Sequence, residues 1–180
     1  MPSSVTREEY DQWLLLREDV WRGREGADIA KRYYKKRAGS FQFWSGLLTT
    51  ASLIVQSGGV AALFVSWPKV ATGLAALAGV LSVVNATQGW PRKRVDHLLA
   101  AQLARRSYGR WNTLWRDARE YTNPAKLRKR IDEANEKDQE ILDSVVDSTD
   151  RRTWRAMEDE VLGSYDPQDL ATEQPEWIAK

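Results

Sequence analysis

The alternation of polar and apolar positions breaks off over residues 41–90. From Phe41 to Trp67 no residue is charged, and after Pro68 and Lys69 none is charged from Val70 to Trp90. These runs of 27 and 21 residues each reach the roughly 20 residues that an α-helix needs to cross a bilayer core. The two residues between them leave room only for a tight reversal. The pattern predicts a transmembrane helical hairpin, with spans at about 41–67 and 70–90. A buried hairpin in a soluble bundle fits less well, because core helices are usually shorter and keep a polar edge. A form that hides the hairpin and releases it later is compatible with the same runs.

On either side, apolar residues recur at helical spacing. Residues 1–40 form an N-terminal amphipathic segment, read as one helix from about residue 3. Thr6 and Glu9 have the spacing of a capping box, which satisfies free amides at a helix start. Tyr10, Trp13, Leu14, Leu16, Val20 and Trp21 follow, mostly on one face. Gly23 and Gly26 predict a weak middle or a break.

Beyond the hairpin, 91–163 predicts three helices. Pro91 ends or kinks the second span. A helix over 92–122 has Val95, Leu98, Leu99, Gln102, Leu103, Trp111, Leu114, Trp115 and Ala118 on its apolar side, and Asn123-Pro124 stops it. A helix over about 125–147 has the stripe Leu127, Ile131, Ala134, Ile141, Leu142 and Val145, interrupted at Asp138. Its pairs Arg128–Asp132, Lys129–Glu133 and Glu133–Lys137 are four apart and opposite in charge, a solvated-face pattern. Ser148 or Asp150 caps a last helix at 151–163, with Trp154, Met157 and Val161 inward. The tail, 164–180, has two prolines and predicts little fixed structure. No strand pattern is visible. The expected fold class is all-α: a two-helix transmembrane hairpin with a cytoplasmic helical bundle formed by N- and C-terminal helices.

Charge adds an orientation. All 25 acidic residues and 26 of the 27 basic ones lie outside 41–90. Lys35, Lys36 and Arg37 precede the first run, Arg92, Lys93 and Arg94 follow the second, and the turn has Lys69 alone. The positive-inside rule then places both termini in the cytoplasm, as in a multi-pass inner-membrane protein. Trp44, Trp67 and Trp90 stand near the run ends, where indoles favour the lipid–water boundary. The basic clusters also suit anionic headgroups, at about 1 kcal/mol per residue, although topology alone accounts for them. A net charge of +2 is too small to argue for nucleic acid, and none is expected as a partner. With no cysteine there is no disulfide or thiolate metal site. The first residues lack a basic stretch followed by an apolar one, so no cleavable signal peptide is expected and the hairpin serves as its own insertion signal.

Catalytic chemistry is not legible. His97, the lone histidine, has no partner at metal or triad spacing and reads as structural. Glu158, Asp159 and Glu160 suggest a cation site, but a charge run on a short helix is commonly a solvated face. Gly23-Arg24-Glu25-Gly26 follows no strand and makes no phosphate loop. Arg110-Trp111, Trp115-Arg116 and Trp154-Arg155 would suit base stacking, yet the tryptophans fall at core spacing. No enzyme activity, cofactor or metal is expected.

The informative pattern lies within the hairpin. Ser45, Thr49, Ser52, Gln56 and Gly59 are spaced by 4, 3, 4 and 3, and Thr72, Ala75, Gly79, Ser82 and Ala86 by 3, 4, 3 and 4. Each set is one small or polar stripe. Counting from Pro68 sets Gln56 beside Gly79 and Val80, and Asn85 near Thr49 and Thr50. Two readings stay open. The stripes are the packing seam of the hairpin, where small residues let backbones approach. Or several hairpins assemble and one stripe lines a polar path, with Gln56 and Asn85 as the deep amides that need a partner or water.

The basic, Tyr-containing lead-in AKRYYKKRAGSFQFW, the tightly turned hairpin and the continuation LARRSYGRWNTLWRDAREY together resemble the SLATT families, bacterial two-transmembrane effectors associated with conflict systems. The resemblance covers about residues 8–147, is one of architecture and texture without an invariant motif, and offers no catalytic motif to carry over. It implies a homo-oligomeric effector that permeabilises or disrupts the host's own inner membrane, in anti-phage defence, when a separate sensor or signalling protein triggers it. The alternative is a non-enzymatic membrane anchor or scaffold whose helices recruit a cytoplasmic partner.

Overall fold

A computed structural model describes residues 6–56, 67–118, 123–144 and 150–165. Among the described residues the fold is all-α. Five helices follow one another: α1 (Arg7–Gln56), α2 (Pro68–Gln88), α3 (Trp90–Asp117), α4 (Pro124–Ser144) and α5 (Arg151–Leu162). They divide into two compact units, Met1–Tyr34 with Leu99–Lys180, and Lys35–Leu98. Among the described residues no helix is long and apolar enough to cross a membrane. Of the first uncharged run, 57–66 lies outside the described residues, Gly59 included.

The helix ends have local causes. Thr6 and Glu9 form the expected capping box: the Thr6 amide donates to the Glu9 carboxylate (2.9 Å) and the Glu9 amide to the Thr6 hydroxyl (3.3 Å). Asn123 caps α4 by accepting from the Ala125 amide at 3.0 Å, with Pro124 at the first helical position, where its missing N–H costs nothing. Asp150 caps α5, accepting from the amides of Arg152 and Thr153 (3.1 and 3.3 Å). That choice decides between the two capping residues the sequence offered. The helix expected over 92–122 is already finished at Asp117.

Three expectations need correction. Pro68 and Lys69 are not the reversal but the first turn of α2, closed by the Val70 and Ala71 amides on the Trp67 carbonyl (both 3.1 Å). The break after the second apolar run falls at Gly89 rather than Pro91. Gly89 takes φ +61°, the left-handed end that glycine tolerates, while Pro91 sits harmlessly in the first turn of α3. And α1 does not break at Gly23 or Gly26: it runs unbroken through both.

The reason for that continuity is the core of the first unit. A Cβ on Gly23 would lie 2.6 Å from three indole carbons of Trp111. The glycine is there for the ring to lie on. Trp111 is 1% exposed, and its Nε1–H donates to Asp138 at 2.6 Å. Arg110 and the Ser107 hydroxyl reach the other oxygen of the same carboxylate. So the residue that interrupts the apolar stripe of α4 is where α4 is tied to α3. Around this point Leu16, Val20, Ala27, Leu114, Leu127 and Ile131 close the core. Trp13 also donates, from Nε1 to the Ala118 carbonyl at 3.0 Å, which satisfies an orphan acceptor at the end of α3.

The buried face of α3 differs from the one expected. Val95, Leu98 and Leu99 are exposed, whereas His97, Ala100, Ala104 and Ser107 are buried. In the first unit the bulk there comes from Tyr33 and Tyr34, and small residues on α3 make room for it; Met157 and Val161 of α5 complete this cluster. The Tyr33 hydroxyl accepts from the Asp150 amide at 2.9 Å. On α4, Arg128, Lys129, Asp132, Glu133 and Lys137 are all exposed, as a solvated face requires.

Among the described residues two charged groups are buried in this unit. Arg17 lies between the rings of Trp13 and Trp115, 5.2 and 4.7 Å from their centroids, a geometry that favours the guanidinium. Asp28 has Lys31 against one oxygen and Arg32 at 3.3 Å from the other. Arg32 also holds Glu160 at 2.6 Å. Burial raises the pKa of Asp28, but the hydrogen bonds and charges of Lys31 and Arg32 outweigh it and hold the carboxyl below its ordinary value. Burial and the Asp28 charge both push the Tyr165 hydroxyl up, so it stays protonated and donates to Asp28.

Two predictions follow from this packing. Gly23→Ala lowers the melting temperature, because overpacking by about 2–3 kcal/mol exceeds the ~1 kcal/mol gained in helix propensity. Gly26→Ala, with open space around its Cβ position, raises it; near-ultraviolet circular dichroism during heating reads both. For Asp28 the folded pKa is depressed, so the carboxylate stabilises the fold at neutral pH. This contribution is lost as pH falls through about 3.9, the unfolded value, and then through the lower folded one. The stability gap between wild type and Asp28→Asn is therefore wide at pH 7 and closes in acid; a gap that widens in acid refutes the assignment.

Candidate functional site

The second unit, Lys35–Leu98, contains the uncharged runs. Its two apolar helices pair in antiparallel register. The Ser52 and Ser82 hydroxyls lie 2.8 Å apart, and the Trp44 and Trp90 rings are 6.4 Å apart. Moving eight residues back on α1 from Ser52 thus matches moving eight residues on from Ser82. By this register Gln56 stands level with Ala78 and Asn85 with Thr49. The side chains of Gln56 and Asn85 lie outside the described ones.

The stripes are only partly brought together. Ser52 and Ser82 meet and are half-buried, and Ser45 is half-buried and accepts the Thr49 hydroxyl on its carbonyl at 2.8 Å. Thr49 and Thr72 are exposed. Gly79 is exposed as well, and a Cβ built on it meets nothing within 4 Å. Within the chain, then, Gly79 is not a point of close approach. Among the described residues, Ala38, Phe41, Leu48 and Ala71 are the buried ones of these helices within this unit.

At the end of the hairpin marked by Trp44 and Trp90, charge and aromatic rings are interleaved. Lys35, Lys36 and Arg92 are exposed, and Arg37, Lys93 and Arg94 are half-buried. The Arg37 guanidinium lies 4.8 Å from the Phe41 ring, and Phe41 meets His97 edge-on at 5.0 Å. His97 is 2% exposed. Its Nδ1–H donates to the Lys93 carbonyl at 2.8 Å, since a carbonyl can only accept. The ring is thus absorbed in packing at the start of α3. Trp44 is half-exposed, and Trp67, before α2, is 65% exposed.

Much of the apolar surface has no covering within the unit. Phe43, Leu47, Leu53, Ile54, Val70, Leu77, Val80 and Val83 are each between 45% and 64% exposed. Single exposed apolar residues are ordinary, but a cluster on two paired helices marks a surface that meets lipid or protein. Among the described residues no group of three or more His, Asp or Glu can hold a metal; of the run on α5, Glu160 is engaged by Arg32. The arrangement offers an amphiphilic surface.

Hydropathy found the helices and the stripes but missed the Ser52–Ser82 contact and the Trp44–Trp90 pair. The signal for the serine contact was in the stripe spacing, read with the register that only packing supplies. Compared with protein-family models, with curated proteins and with solved structures, the chain matches none.

If the serines form the seam, Ser52→Ala and Ser82→Ala are not additive. A double-mutant cycle on thermal unfolding of the purified protein is expected to give a coupling of about 0.5–1 kcal/mol, the usual size of a single hydrogen bond's net contribution. Additive losses refute the contact.

Proposed function

We propose that the protein is a bacterial inner-membrane effector. Its hairpin enters the bilayer with both termini cytoplasmic, assembles with further copies, and opens a polar path when a separate sensor protein acts on the cytoplasmic helices. The observation that carries this reading is the exposed apolar surface of the second unit. Apolar surface left in water costs about 25 cal/mol per Å², and a bilayer removes that cost. Phe43, Leu47, Leu53, Ile54, Val70, Leu77, Val80 and Val83 of this surface lie in the uncharged runs, with Trp44 and Trp90 paired beside the basic flank, as at a lipid boundary. The likeness of the lead-in, hairpin and continuation to SLATT effectors supports the step from membrane protein to effector.

The division of the stripes refines the proposal. Ser52 and Ser82 face each other inside one hairpin, while Thr49 and Thr72 lie on its exposed surface. Oligomerisation would gather Thr49 and Thr72, with Gln56 and Asn85, around a common axis. No cofactor and no catalytic step are involved. A second reading, a membrane anchor that recruits a cytoplasmic partner, is favoured by the Ser52–Ser82 contact itself, because stripes closed on each other line nothing.

The test is made in expressing cells. The protein is expected to stay with membranes through alkaline carbonate extraction, and its release would sink the membrane reading. Once triggered, wild type depolarises the cell and admits dye, and Gln56→Leu and Asn85→Leu lose most of this while remaining inserted. Equal depolarisation by both variants removes the polar path, and an undisturbed potential in every condition favours the anchor.

A further inference from the structure

The second unit contains a groove of about 480 Å³ at the corner where α2 gives way to α3. We propose that this groove binds one anionic phospholipid; the inference rests on the membrane reading above and names the lipid that the hairpin selects.

The left-handed Gly89 makes the groove. It ends α2 and restarts the chain as α3, and nothing lies within 4 Å of its Cβ position. A side chain here would fill the corner. Arg92 lines the mouth, just beyond Trp90, and is exposed. No ion pair engages Arg92 among the described residues, whereas the arginines of the first unit discussed above are held by carboxylates or rings. The walls are apolar, from Leu48 and Leu53, and the hydroxyl pair of Ser52 and Ser82 lies at the inner end. From Gly89 to Ser82 is seven residues, about 10 Å along the helix.

That order of groups matches a lipid read from its head inward. A guanidinium at the boundary takes the phosphate with paired N–H donors. Hydroxyls and apolar walls below it suit the ester region and the first part of an acyl chain. A free phosphate ester would leave the apolar walls empty, and a neutral lipid would leave Arg92 without its anion. Both are poorer occupants than an anionic phospholipid. The Trp44–Trp90 pair fixes this end of the hairpin at the aromatic level, which puts the mouth where headgroups are.

Native mass spectrometry of the full chain in detergent tests the site, with phosphatidylglycerol and phosphatidylcholine of the same acyl chains supplied equally. Wild type is expected to retain phosphatidylglycerol preferentially. Arg92→Gln reduces its retention about five-fold, the equivalent of the ~1 kcal/mol that one basic residue contributes near an anionic surface, and Arg92→Lys restores most of it. Thr49→Leu, which fills the groove without altering charge, lowers retention of both lipids. Equal retention of the two lipids by wild type, or no effect of Arg92→Gln, overturns the proposal. Displacement of the lipid by glycerol 3-phosphate at equal concentration overturns it too, in favour of a free phosphate ester. A short-chain phosphatidylglycerol, added as monomers, reads the site without a bilayer. Carbonate extraction of the same variants reads insertion separately, so a loss of one does not pass for a loss of the other.

Discussion

Trp111 lies flat against the backbone of α1 at Gly23, inside the 4 Å that a side chain there would need. The contact joins three helices at once: the ring belongs to α3, its floor is α1, and its N–H is held by Asp138 of α4. Burying an indole removes roughly 200 Å² of apolar surface from water, worth about 5 kcal/mol. The same burial would strand the N–H if α4 did not supply its carboxylate. Each partner is therefore required by the other two. Leu16, Val20, Leu114, Leu127 and Ile131 then fill the space that this arrangement defines.

Charge in the first unit is handled by the same logic of compensation. Arg17 is buried between two indoles and Asp28 between two cations. Neither is a surface ion pair of the kind that contributes little. Both tie α1 to other elements: Arg17 to α3 through Trp115, and Arg32, which holds Asp28, to α5 through Glu160. The second unit has almost none of this. Its helices meet through serines and indoles, and Phe43, Leu47, Leu53, Ile54, Val70, Leu77, Val80 and Val83 are turned outward.

Much of this was legible in the chain. The all-helical class, the capping box at Thr6, Asp150 as one of two cap candidates, the inward face of α5 and Leu127, Ile131 and Ala134 of the α4 stripe follow from local rules, and local rules held wherever the partner was the helix's own backbone. They failed where a distant residue decided. Gly23 looks like a helix breaker until Trp111 is placed on it. Asp138 looks like a flaw in a stripe until three donors are found around it. Hydropathy chose Val95, Leu98 and Leu99 for the inward face of α3, because it scores size; the chain buries Ala100 and Ala104 instead, since tyrosines fill that space from the other side. At Gly89 and Pro91 two breakers stood together, and the one that ends a helix from its C-terminus took precedence over the one that is tolerated at a helix start. In the hairpin the spacing of small and polar residues was plain, but which of them meet depended on a register that spacing alone leaves free.

The tryptophans divide along the same line. Trp13 and Trp111 are each 1% exposed, whereas Trp44 and Trp67 are 48% and 65% exposed. A collisional quencher of fluorescence must touch the ring it darkens. One carried in lipid or water reaches the second pair and passes by the first. The chain thus has, without any added label, one set of fluorophores that reports the surroundings of its apolar helices and another that reports whether its aromatic core is intact.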